Sequence, residues 1–378
     1  MGIFDKKHGG EKVDETADLP AYERDHSLDV EDGLFENAGP GSLFLAYFIY
    51  SCMLGLVNNC MAEMTILMPV SGGFIRMAGH WVDDALGFMA GWNFFFYEAL
   101  LIPFEVTALN SVLGFGGKVI LIFLLFAFTF ITMVGGNPRH DAYGFRYWKN
   151  PGAFAEHITT GSLGKFEGFL AALWSASFTV VGPEYISMVA AEAKRPRIYI
   201  KNAFKTVYWR FGIFFIGGAL AVGIVIPYND KTLVGILAGT STGAGTAAAS
   251  PYVIAMQNLG IGVLPNIVNA LMVTSIFSAG NTYTYCATRS LYGLALEGRA
   301  PKFLRYCTNG GKHTDQHKLW KPSEISANTT TRYFAGVPLY CFLIVMIFPF
   351  LSFLSVSSSS NVVLTWLVDL ITAGGIID

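Results

Sequence analysis

Long apolar runs separated by short polar or glycine- and proline-bearing joints fill the chain from Ser42 onward. Crossing about 30 Å of hydrocarbon takes roughly 20 helical residues. Eight runs fit that length: about 42–60 (span A), 85–111 (B), 117–134 (C), 167–191 (D), 204–227 (E), 260–285 (F), 335–354 (G) and 361–377 (H). They lack the polar stripe of a soluble amphipathic helix. Their Gly, Pro and aromatic content suits membrane helices, whose neighbours satisfy backbone groups freed at a break. The pattern predicts an all-α integral membrane bundle of about eight spans.

Composition agrees. Only 14% of residues are charged, against about 25% in soluble domains, and mean hydropathy is +0.46. A net charge of −2 offers no basic surface for nucleic acid. Five scattered cysteines without Cys-x-x-Cys spacing form neither a disulfide framework nor a zinc site, so no metal or organic cofactor is expected. Residues 1–36 hold eleven acidic and four basic residues and little apolar surface, which predicts a disordered acidic cytoplasmic tail ahead of a membrane domain over 37–378. The tail has no signal-peptide apolar stretch. Lys6, Lys7 and Lys12 within it are candidate attachment points for ubiquitin ligase machinery, or simply part of a solvated tail.

Loops D–E and F–G are rich in Lys and Arg, whereas E–F carries only Lys231 and G–H none. The positive-inside rule places D–E and F–G in the cytoplasm. The Asn328-Thr329-Thr330 sequon in loop F–G then stays unglycosylated.

Intramembrane carboxylates are the first candidates for chemistry, because burying one is costly unless it is paired or functional. Span B carries Glu98 and Glu105, two turns apart on one helical face, with Glu105 just past Pro103. Each is a candidate proton carrier or a packing hydrogen bond. Span D carries Ser177-Phe178-Thr179-Val180-Val181-Gly182-Pro183-Glu184. A mid-span Gly-Pro breaks the helix, and such a break persists in lipid only where it lines a cavity or packs in protein. Its half-helix ends can hold the charged groups of a zwitterion, so Ser177, Phe178, Thr179, Gly182 and Glu184 are candidate substrate contacts, with Glu184 also able to titrate. A plain proline kink is the competing reading. Ser278 and Asn281, in the Ser-Ala-Gly-Asn run of span F, are further candidates, against close packing through small residues. His140-Asp141 has no nucleophile beside it and residues 238–245 lack the P-loop lysine, so neither an enzyme nor an ATP-driven pump is indicated.

These residues have a family likeness. The segments GPGSLFLAYFIY, PVSGGFIRMAGHWVDDALGFMAGWNFFFYEALLIPFEVTALN, FTVVGPEYISMVAAEAKRPRIYIKNAFK and SAGNTYTYCATRSLYGLALEGRAPKFL resemble the fungal amino acid permeases of the amino acid–polyamine–organocation superfamily. GGNPRHDAYGFRYWKNPGAFAEH and YEALLIPFE resemble the dicarboxylic amino acid permease branch. The resemblance implies twelve helices in a five-plus-five inverted repeat. It also implies proton-coupled uptake of amino acids, glutamate and aspartate among them, across the plasma membrane by a multi-pass protein driven by the proton gradient. The family's sixth-helix Phe-x-x-x-Gly-x-Glu falls on Phe178, Gly182 and Glu184. Its third-helix glutamate falls on Glu105, and its eighth-helix small-polar run on Ser278 to Asn281.

The likeness has gaps. The family's Gly-[Ser/Thr]-Gly first-helix break should stand between Glu36 and Gly39, where only Asn37 and Ala38 lie. Its fourth helix should follow Val112-Leu113, and its last helices lie beyond Asp378. The first, fourth and last helices are thus expected to be absent. If every span inserts, parity puts loop A–B outside, opposite D–E and F–G. A shortened, non-transporting membrane protein acting as a sensor or a partner of intact permeases is the alternative to a transporter.

Overall fold

The computed structural model describes residues 32–107, 116–190, 193, 195–237, 250–307 and 337–356, and among them every regular element is helical. In chain order these are α1 (Asp32–Leu67), α2 (Gly73–Trp81), α3 (Asp84–Thr107), α4 (Gly116–Met133), α5 (Gly161–Thr179) and α6 (Pro183–Val189). There follow α7 (Pro196–Arg210), a π-helical turn (Phe211–Ile216), α8 (Gly217–Val225), α9 (Lys231–Leu237), α10 (Pro251–Asn258), α11 (Leu264–Leu296) and α12 (Leu339–Val345). The helix α1 starts within the expected tail, at Asp32; the rest of that tail lies outside the described residues.

Among the described residues three helices are long and apolar enough to cross a membrane: Ala38–Leu67, Asp84–Pro103 and Pro196–Val225, which correspond to spans A, B and E. Lys118–Met133 and Leu339–Ser352, in spans C and G, are shorter apolar helices. Span D is divided by its break. Span F sits in the 33-residue α11, whose apolar residues are diluted by Asn, Thr, Ser, Gly and Tyr. Span H lies outside the described residues. The outer surface is apolar: Met53, Leu56, Phe123, Phe130 and Trp209 are all at least 60% exposed, an arrangement suited to lipid rather than water.

Two cores hold the bundle. One joins the first half of α1 to α4, α5, α8, α10 and the start of α11, around Leu43, Phe128, Ala172, Ile226, Met256 and Val268. The other joins α2 and α3 to the second half of α11 and to α12, around Ile75, Phe94, Leu101, Leu291 and Cys341. The long α11 therefore ties the two together. It packs along α3 through small residues. A Cβ on Gly91 would lie 2.4 Å from Leu294 Cδ2, and the Ser290 hydroxyl donates to the Gly91 carbonyl at 3.2 Å.

Near its start α1 is interrupted at Gly39 (φ 76, ψ 166). The backbone freed there is taken up by the loop before α5: Gly41 N–H donates to the Ala153 carbonyl at 2.6 Å and Ala155 N–H to the Ala38 carbonyl at 3.0 Å. A side chain at Gly39 would meet Ala155 N at 2.8 Å, and an L residue there would also adopt an unfavourable positive φ. At the same end Arg146 lies 3.4 Å over the Tyr143 ring and donates to Asp141. Burial there raises the Tyr143 hydroxyl above its ordinary value.

The connections sort onto two faces. Arg76 of α2 pairs with Glu297 at 2.9 Å, just beyond α11, and Arg299 pairs with Glu297 at 2.6 Å and with Asp84 of α3 at 2.7 Å. The end of α1 packs on the start of α7 through Met61, Ile66, Ile200 and Phe204. Loops A–B, D–E and F–G therefore share one face. Arg139, Asp230 and Asn258 gather on the other, where Arg139 donates to the Asn258 carbonyl and Asn258 Nδ2 donates to Asp230 at 3.0 Å. This corrects the parity expectation: loop A–B is not opposite F–G, because the Arg76, Glu297 and Arg299 side chains bridge the two.

Two predictions follow from the faces. In a variant freed of its own cysteines, cysteines at His80 and Arg197 should be shielded together from an impermeant thiol reagent on intact cells, while one at Lys231 is labelled; labelling at His80 would restore the inverted arrangement. Glu297 is only 16% exposed and serves two arginines, whereas Asp84 is 97% exposed and contributes little. Glu297→Ala should therefore cost about 2 kcal/mol, read as a lower melting temperature in detergent, and Asp84→Ala under about 0.5 kcal/mol.

Candidate functional site

The centre of the bundle is the break between α5 and α6. The α5 ladder ends with Val180 N–H donating to the Ala176 carbonyl at 2.9 Å, and Val180 then turns extended (φ −87, ψ 90). Pro183 restarts the helix and has no N–H to place. The freed Gly182 N–H donates to Glu184 Oε1 at 2.8 Å, so the carboxylate two residues on is turned back onto the break.

Arg210 reaches the same point from α7. It stands at the midpoint of the Pro196–Val225 span, directly before the π-helical turn, a distortion that recurs at functional sites. Its guanidinium lies over Gly182: a Cβ there would be 2.1 Å from Nη2 and 2.8 Å from Cζ. Glycine is required at 182 to leave room for this group. Arg210 also lies 5.7 Å from the Phe215 ring and interacts electrostatically with Glu184. Its Nε and Nη2 are buried without a hydrogen-bond partner among the described residues.

Tyrosines and a second carboxylate complete the cluster. Glu98 of α3 is fully buried and interacts electrostatically with Tyr97, Tyr185 and Cys286. The Tyr185 ring of α6 is 6.4 Å from the Tyr283 ring of α11. Glu184 also interacts with Tyr97 and with Tyr50 of α1. The cluster thus draws on α1, α3, α6, α7 and α11, with one cation set among two carboxyl groups and several phenols.

The fold does not bring all the sequence candidates to this centre in the same way. Glu98, Gly182 and Glu184 are in it. Ser177 and Thr179 lie just before the break, but their hydroxyls close on their own helix, donating to the Trp174 carbonyl at 2.5 Å and the Ser175 carbonyl at 2.9 Å. Glu105 is in the helical run of α3 and Phe178 in α5; their side chains lie outside the described residues. Ser278 is half-buried on α11 and Asn281 is exposed, and the α11 ring that meets Tyr185 is Tyr283. Arg210 and the tyrosines are additions to the sequence reading. A signal for Arg210 was present, since it is the sole charged residue between Lys205 and Asp230 in an apolar run. Tyr97 and Tyr185 each adjoin a carboxylate already singled out.

A membrane protein whose described elements are helical, with a broken helix and a buried charged cluster at mid-span, has the build of a membrane transporter. The amino acid permease family model matches residues 34–119 and 117–312, and the chain belongs to that family. It is 40% identical over 383 residues to a general amino acid permease of Saccharomyces cerevisiae, covering 90% of this chain and 59% of that protein. It is 32% identical over 379 residues to a proline-specific permease of Emericella nidulans, covering 90% and 64%. It is 31% identical over 380 residues to a dicarboxylic amino acid permease of Saccharomyces cerevisiae, covering 90% and 58%. The chain spans about three fifths of the length of these relatives.

Proposed function

We propose that this chain is part of a proton-coupled transporter that takes up L-amino acids across the plasma membrane as a multi-pass protein. The observation that carries the proposal is the break at Val180–Gly182 with Glu184 folded onto it, in a chain of the amino acid permease family. An unwound segment presents backbone donors and acceptors to a zwitterion at a depth where water does not compete. A carboxyl at that segment can take up a proton with the substrate and release it on the other side. Glu184 is the first candidate for that role, with Glu98 and Glu105 as alternates.

The relatives' names cover general, proline-specific and dicarboxylic permeases, so acidic substrates such as glutamate and aspartate are the finer part of the proposal. The dicarboxylic relative and the mid-span cation Arg210 support it.

The test is radiolabelled uptake in cells lacking their own permeases, across external pH. Glu184→Gln should abolish uptake driven by an inward proton gradient, and should leave the protein at the cell surface. Normal, pH-dependent uptake by Glu184→Gln would remove Glu184 from proton coupling, and no uptake of any amino acid by the unsubstituted protein would overturn the transport reading.

A further inference from the structure

Among the described residues, Glu184 accounts for only part of what holds Arg210 at mid-span. Its carboxylate neighbour in the break, Glu184, spends Oε1 on the Gly182 N–H, and Arg210 Nε and Nη2 are sealed from solvent without an acceptor among the described residues. Leaving charged donors unpaired in a buried site is costly. A guanidinium presents its N–H groups in a planar fork that matches the two oxygens of a carboxylate. The fork lies over the one glycine of the break, where any side chain would displace it, and the Phe215 ring backs it. The surrounding phenols of Tyr185 and Tyr283 are electrostatically coupled to it. Among the described residues no side chain fills that place, and an anionic group with two coplanar oxygens, brought by a ligand, fits it.

We infer that Arg210 is the carboxylate-recognising residue of the site, receiving a carboxylate of the transported amino acid through Nε and Nη2 beside Gly182. The inference rests on the transport reading above and adds a residue to it. It also accounts for the glycine at 182 on grounds other than helix breaking. When the ligand carboxylate occupies Arg210, Glu184 no longer has the guanidinium to itself, which favours protonation of Glu184 as the substrate enters.

The experiment uses the full chain in detergent, with melting temperature as readout and L-proline, L-glutamate and L-lysine as probes, each beside its α-methyl ester. The unsubstituted protein should be stabilised by at least one acid and not by its ester. Arg210→Gln should weaken the response to that acid by at least about tenfold in concentration, and Arg210→Lys should recover part of it. Because Arg210→Gln removes a buried charge, Gly182→Ala serves as a second variant: it keeps the arginine but forces the guanidinium off its seat, and the same acid response should fall. A purely structural role for Arg210 would shift the melting temperature without ligand yet leave the acid-to-ester preference unchanged. That preference persisting in Arg210→Gln, or in Gly182→Ala should the first variant not fold, overturns the inference and leaves the transport reading standing. An unsubstituted protein that responds to none of the three acids overturns the transport reading, and this inference with it.

Discussion

A backbone opened in the middle of a membrane has to find partners within the protein, because lipid offers none. The opening at Val180–Gly182 is such a place, and the arrangement around it follows from that need. Glu184 accepts the Gly182 N–H, which keeps a carboxylate at mid-depth. The carboxylate calls for a cation, and Arg210 is placed at the midpoint of its span. The guanidinium in turn needs space, which the glycine provides. The phenols of Tyr185 and Tyr283 close the cluster with rings that are apolar on the side facing the core and polar at the tip. Each choice is made costly to reverse by the one before it.

The rest of the bundle serves to hold these pieces at fixed distances. The long α11 runs through both hydrophobic cores and carries Tyr283 to the centre. Its close approach to α3 at Gly91 sets the depth at which Glu98 lies against the cluster. At the end of α11, Glu297 bridges Arg76 and Arg299, anchoring the α2–α3 connection to the same face. Ser and Thr hydroxyls along α5 and α11 close on their own helices, as at Thr179, Thr284 and Thr288. That satisfies them in lipid and leaves Glu184, Glu98 and Arg210 as the buried ionisable groups of the centre.

Parity reasoning from sequence and the packing disagree over loop A–B, and the reason is instructive. Counting spans assumes that each apolar run crosses once. Charge counts weigh only the loops and ignore which charges meet. Arg76 looks like one isolated arginine in a short loop, and its partner Glu297 lies 221 residues away. No local pattern connects them. An ion pair between two loops fixes their shared face more firmly than a tally of lysines does.

The sequence by itself determined that the chain is a helical membrane protein, because length and apolarity decide partition into lipid residue by residue. It determined the family, through motifs read as contiguous strings, and it placed the helix break, since Gly182-Pro183 acts on its own backbone. It also singled out Glu98 and Glu184, because a carboxylate in an apolar run is conspicuous wherever it lies. Only the tertiary structure decided that Arg210 and Glu184 come close enough to interact, that Tyr283 is the α11 residue at Tyr185, and that the Ser177 and Thr179 hydroxyls are spent on their own helix. Those outcomes depend on the rotation and depth at which one helix packs against another. These are set by side-chain packing between residues far apart in the chain, and no local propensity or spacing encodes them.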